Sequence, residues 1–168
     1  MAMLIRMSRQ ISLTTLLALL GVVAATMVID ATDARSAESN GIVRVKSHFT
    51  VDETIDRLKQ DIAKKGIMFF SAVDQAALAK GDGIELRPST LLQFGNPPLG
   101  TQFITANPTA GLDWPVRLLV SQDEGGAVWV AYTDFQWIAQ RHGITNRDPQ
   151  FKMASEVIAS ITSAVTAK

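Results

Sequence analysis

The groups best suited to proton chemistry in this chain are its two histidines, His48 and His142. Imidazole exchanges a proton near neutrality, so His142 is suited to general-base work if an acid holds its ring. Asp134 and Asp123 are the carboxylates on offer, and with such a partner the pattern is that of a hydrolase- or isomerase-like enzyme. The same residues also have a structural account. Arg141 and His142 stand just before Gly143, and cations at a helix C-terminus contribute about 0.3–1 kcal/mol. Neither histidine has a second His, Cys or acid at ligand spacing, so no metal site is indicated. No Ser-His-Asp order, nucleophile elbow or pair of catalytic carboxylates is recognisable. His142 and Asp134 are therefore the catalytic candidates, no cofactor is expected, and the balance favours binding over turnover.

A binding site has more to draw on. In "LLQFGNPPLG", residues 91–100, an apolar run stops on Gly95 and Asn96 and resumes after two prolines. Asn caps helices and Pro suits their first residue, so a strand end, a turn and a helix start account for the corner. The amides of Leu99 and Gly100 would then face outward at a positive helix end, where an anion can sit. The Gly-Lys-Ser/Thr ending of a phosphate-binding loop is absent. Arg87, eight residues earlier, either pairs with Glu85 or Asp113 or reaches an anionic ligand. Trp114, Trp129, Tyr132 and Trp137 read as core, with a shallow aromatic pocket or a dimer face as the alternative. The expected ligand site thus lies among Arg87, Asn96, Tyr132, Arg141 and His142.

These side chains need a scaffold. "GIVRVKSHF", residues 41–49, reads as a strand. Thr50 and Glu53 have capping-box spacing for a helix to about Lys65, with Val51, Ile55, Leu58 and Ile62 on one face and Gly66 as its stop. "IMFFSAV" reads as a buried strand. Asp74 caps a short helix, "QAALAK", and "IELRPSTLLQF" reads as a strand broken at Pro88, at an edge or a bulge. Residues 97–113 suggest helical turns. "VRLLVSQ" and "AVWVAYT" flank "DEGG" as a β-hairpin. Thr133 and Gln136 have capping-box spacing for a helix stopped by Gly143. A last helix opens at Asp148 and Pro149, with Phe151, Ala154, Val157, Ile158, Ile161 and Val165 facing the core. The order specifies an α+β domain: an antiparallel sheet with helices on one face and short helical insertions.

The chain of 168 residues, 47% hydrophobic and 19% charged, is long enough for one such domain. Residues 1–37 differ in kind. Arg6 and Arg9 precede an uncharged run over residues 11–29, and "DATDARSA" follows. That is the layout of a signal peptide cut after Ala34 or Ala37, or of an uncleaved anchor in the inner membrane. Either way the domain at 38–168 is expected outside the cytoplasm, periplasmic or secreted. Membrane contact is expected only if the leader stays. There is no cysteine, hence no disulfide. From Glu38 onward 13 Lys and Arg meet 14 Asp and Glu, with no basic stripe for nucleic acid.

Several features recur in order: Leu86-Arg87-Pro88, Phe94 to Pro97, Asp123 to Gly126, Trp129-Val130 with Tyr132, and Arg141 to Gly143. In this series the chain resembles the DUF302 family over roughly residues 41–167. Trp114 stands where that family has another apolar residue. The resemblance implies a strand, a helix, four strands and a closing helix, and pairing as a homodimer. It implies no particular activity. The leading expectation is an exported domain that binds a small, possibly anionic, ligand or a protein partner. A structural role at the cell envelope is a further alternative.

Overall fold

The computed structural model describes residues 35–37 and 40–166. The expected leader lies outside them, apart from the three residues of the first strand. Strands β1 (Arg35–Ala37), β2 (Ile42–Ser47), β3 (Met68–Asp74), β4 (Ser89–Gly95), β5 (Val116–Gln122) and β6 (Val128–Thr133) form one antiparallel sheet. Their spatial order is β1-β2-β6-β5-β4-β3. Helix α1 (Val51–Lys64) crosses from β2 to β3, on the far side of the sheet. The α+β architecture read from the sequence is the observed one, with one edge strand added by β1.

Alternation decides the faces. Val43 and Val45 on β2, Val128, Val130 and Tyr132 on β6, Leu118 and Val120 on β5, and Leu92 and Phe94 on β4 all point inward. They meet Leu58 and Ile62 of α1 and Phe151, Ile158 and Ile161 of α5 (Asp148–Ser163). Thr50 and Glu53 close the expected capping box, and Gly66 and Gly143 turn the chain with φ of 66° and 60° after their helices.

Three local expectations are corrected. The run "IMFFSAV" is not buried: β3 is the sheet edge among the described residues, and Met68, Phe69 and Phe70 are exposed. An apolar run of that length does not say whether a neighbour lies beyond it. The segment around Pro88 is not one interrupted edge strand. β4 begins at Ser89, inside the sheet, and Pro88 stands just before it, where its missing N–H costs nothing and its carbonyl still accepts from Gln122 N at 3.0 Å. Helix α4 (Phe135–Arg141) is capped by Asp134, not Thr133. Thr133 stays in register opposite Ile42 on β2, so its backbone belongs to the sheet.

The β5–β6 hairpin carries its own lock. Asp123 Oδ2 accepts from the Trp129 indole at 2.7 Å, and Oδ1 from Ala127 N at 2.9 Å. The Trp129 bond first, then the Ala127 amide, holds this carboxyl below its usual range. A group whose folded value is depressed contributes stability above its unfolded value and loses it as pH falls through the folded one. Trp129→Phe is expected to raise the titration of Asp123 toward that of a free aspartate, read by carboxyl ¹³C NMR. An unchanged titration would assign the lock to the turn backbone alone.

Candidate functional site

The polar chemistry of the domain collects where α3 (Pro97–Ala106), the 3-10 turn Pro108–Asp113 and the end of α4 meet. Asn107 follows α3 and opens the turn. Its Nδ2 donates to the carbonyl of His142 at 2.8 Å, while Oδ1 accepts from Thr109 N at 3.0 Å and from the Thr109 hydroxyl at 2.8 Å. Thr109 Oγ1 lies 3.0 Å from His142 Nδ1. The other ring nitrogen, Nε2, meets Asp113 Oδ2 at 2.7 Å. The side chains of His142 and Asp113 are 4% and 3% exposed, so this is a buried pair.

Asp113 does more than hold the ring. Its Oδ1 accepts from Arg117 Nη2 at 3.1 Å and from Arg141 Nη1 at 3.5 Å. Arg117 also donates to Leu112 O at 2.8 Å. The two guanidinium side chains are 47% and 52% exposed, so each keeps donors facing solvent while Asp113 fixes its inner edge. Two arginines thus converge over one buried carboxylate. Their charge exceeds that of Asp113, and the patch is positive even with a neutral imidazole.

The expected site residues part company. Arg141 and His142 share this cluster. The carboxylate that meets His142 is Asp113, not Asp134 or Asp123. Asp134 caps the opposite end of α4, where its Oδ1 accepts from Gln136 N at 2.8 Å and Trp137 N at 3.0 Å. Arg87 pairs with neither Glu85 nor Asp113 but with exposed Glu124 at 3.3 Å, beside an open groove shared with Asp74 and Lys80. Tyr132 is in the core. The tryptophans scatter: Trp129 lies beneath Arg44, Trp137 against Gly41, and Trp114 over Gly95 and Gly100.

Asn96 caps α3 as expected, and its own oxygens meet the amides at that end. The Leu99 amide is met by Asn96 Oδ1 at 3.3 Å and by Asn96 O at 3.1 Å, and the Gly100 amide by Asn96 O at 2.9 Å. Beneath the corner is a narrow apolar cavity of about 40 Å³, walled by Phe94, Leu99, Phe103, Trp114 and Ile158. Ligand pockets usually run to ~300–1,000 Å³. The corner seats Trp114 over Gly95 and Gly100. Sequence reasoning missed Asn107, Thr109 and Arg117 as site residues and gave Asp113 the wrong partner. The one available signal was Asp113 four residues before Arg117.

Among the described residues no three metal-binding side chains come together, and no helix is long and apolar enough to cross a membrane.

The family described as "Domain of unknown function DUF302" matches residues 43–167. The fluoride-specific ion channel FluC 1 of Brucella suis biovar 1 is 41% identical over 105 residues, which are 62% of this chain and 41% of that protein. The fluoride-specific ion channel FluC 2 of Brucella melitensis biotype 1 has the same identity over the same length, 39% of that protein. The chain thus spans about two-fifths of the length of these curated relatives. The crystal structure of an uncharacterized conserved protein DUF302 from Bacillus stearothermophilus is similar in fold. Its TM-score is 0.68 at 16% identity, over 74% of this chain and 98% of that one.

Proposed function

This chain belongs to the DUF302 family, and from that premise we propose that it is an exported, non-enzymatic domain that binds a small anion. Arg117 and Arg141 take the ligand, and Asp113 and His142 brace them from below. The observation that carries this reading is the convergence of two half-exposed guanidinium groups on one buried carboxylate oxygen. Pre-orientation matters because an arginine held in place has little rotamer freedom left to lose on binding. The relatives named as fluoride-specific channels support the ligand class, and fluoride is one of the anions to test. Export rests on the charge and hydropathy of residues 1–37. Pairing of two copies is supported by exposed Met68, Phe69 and Phe70 on β3, the sheet edge among the described residues.

A hydrolase reading has one favourable observation, the chain Thr109–His142–Asp113, which joins a hydroxyl, a base and an acid. Binding is the better reading. The Asp113 carboxylate is shared with Arg117 and Arg141, and the Thr109 hydroxyl also reaches Asn107.

The test is titration of the domain with sulfate and with fluoride by calorimetry, at constant ionic strength in chloride. Arg117→Gln and Arg141→Gln are each expected to weaken binding by roughly ten- to hundredfold, the worth of a charge-assisted hydrogen bond. Arg87→Ala and Asn96→Ala are expected to leave it unchanged. Binding that survives both arginine substitutions, or that fails with Arg87→Ala, would put the anion elsewhere.

A further inference from the structure

Helix α4 has two sides. Phe135, Ile138, Ala139 and His142 are buried in the domain, while Trp137, Gln140 and Arg141 are exposed. The exposed three are spaced i, i+3 and i+4, so they form one patch, with about 5–6 Å between the Cβ atoms of Trp137 and Arg141. Together they line an open hollow of about 450 Å³. Small-molecule sites usually run to ~300–1,000 Å³.

Trp137 is the unexpected member of the patch. Tryptophan usually gives most of its large surface to a core, yet Trp137 is 39% exposed. It is nevertheless held in place. Its pyrrole ring rests where a Cβ of Gly41 would stand, and Gly41, with φ of 79°, has none. Asp134 Oδ1 accepts from the Trp137 amide at 3.0 Å and so fixes the helical turn that carries the indole. Arg141 belongs to two places at once. Its Nη1 meets Asp113 Oδ1 at 3.5 Å beside Arg117, and its half-exposed side chain also walls the hollow.

We infer that the anion site continues across Arg141 onto Trp137 and that its ligand is an aromatic carboxylate. The carboxylate lies on the guanidinium groups and the flat ring on the indole. The inference rests on the anion-binding reading and names the ligand class. A carboxylate matches the planar fork of a guanidinium with two parallel hydrogen bonds. With Trp137 and Arg141 one helical turn apart, a ring over the indole brings its carboxylate within reach of the guanidinium. Stacking on the indole is worth about tenfold in affinity, which an aliphatic acid of the same charge does not gain. The Gln140 amide both donates and accepts, so it suits a polar substituent on the ring.

The experiment is calorimetric titration of the full chain at neutral pH with benzoate, acetate and sulfate, at constant ionic strength in chloride. Benzoate is expected to bind about tenfold more tightly than acetate. Trp137→Leu should bring that ratio down to about one, and Trp137→Phe, which keeps a ring, should retain most of it. Arg141→Gln should weaken benzoate and sulfate alike, by roughly ten- to hundredfold. Proton NMR adds a readout that needs no variant: nuclear Overhauser contacts from the benzoate ring to the Trp137 indole. If benzoate binds no more tightly than acetate, or its contacts fall on Trp114 or Trp129, while sulfate still needs Arg117 and Arg141, the aromatic extension is overturned and the anion site stands. If benzoate binds on Trp137 regardless of Arg141, the two places are not one site and the inference is overturned. If none of the three anions binds, both readings are overturned.

Discussion

Asp113→Ala is expected to destabilise the domain by about 3–5 kcal/mol, the cost of breaking a buried ion pair by removing one partner. The Asp113 carboxylate is the partner of His142 Nε2, and it also anchors the inner edges of Arg117 and Arg141. Its loss leaves a buried imidazole nitrogen without its partner and removes the carboxylate that the two guanidinium groups share. Asp113→Asn keeps the shape and one acceptor oxygen but not the charge, so it should cost less. Urea denaturation checks both: the midpoint should fall while the slope with denaturant stays the same. In a His142→Gln background the cost of Asp113→Ala should shrink, because the orphaned group has gone. A loss below about 1 kcal/mol would mean that solvent screens the cluster, as it screens surface ion pairs.

Gly100→Ala is expected to destabilise by about 1–3 kcal/mol, the usual cost of overpacking. The direction is informative because helix propensity alone argues the reverse. Gly100 is inside α3, where Ala is favoured over Gly by about 0.8–1 kcal/mol. A Cβ on Gly100 would fall on the fused ring of the Trp114 indole, and one on Gly95 would fall on its outer edge. Two missing side chains thus make the recess that the indole fills. Gly95→Ala should destabilise as well, without any helical gain to offset the clash. In a Trp114→Ala background, already weakened by loss of the indole, Gly100→Ala should become neutral or stabilising. If Gly100→Ala stabilises the unaltered protein, the indole is free to move aside and the recess has no steric role.

Both predictions concern residues whose importance was hard to read from the chain. The capping box at Thr50 and Glu53, the Asn96 cap, the "DEGG" hairpin and the glycine stops were legible, because each is a local interaction within a few residues. The inward faces of α1 and α5 were legible because burial imposes a period on a helix. By contrast, His142 and Asp113 are 29 residues apart, and His142 and Asn107 are 35 apart. Neither pair leaves a periodic trace. Aspartates closer in sequence, such as Asp134, looked better placed only because sequence distance stood in for spatial distance.

By itself, then, the sequence determined the class of fold, the order of its elements from β2 onward and the buried faces of α1 and α5, since period, capping and turn chemistry operate over one element at a time. Tertiary structure alone decided which strand ended at the edge, which carboxylate met the histidine, and that two arginines share it. Those outcomes depend on which elements become neighbours. That is settled when the whole apolar face is buried at once, and each buried polar group must then find its partner among whatever the packing has brought within reach.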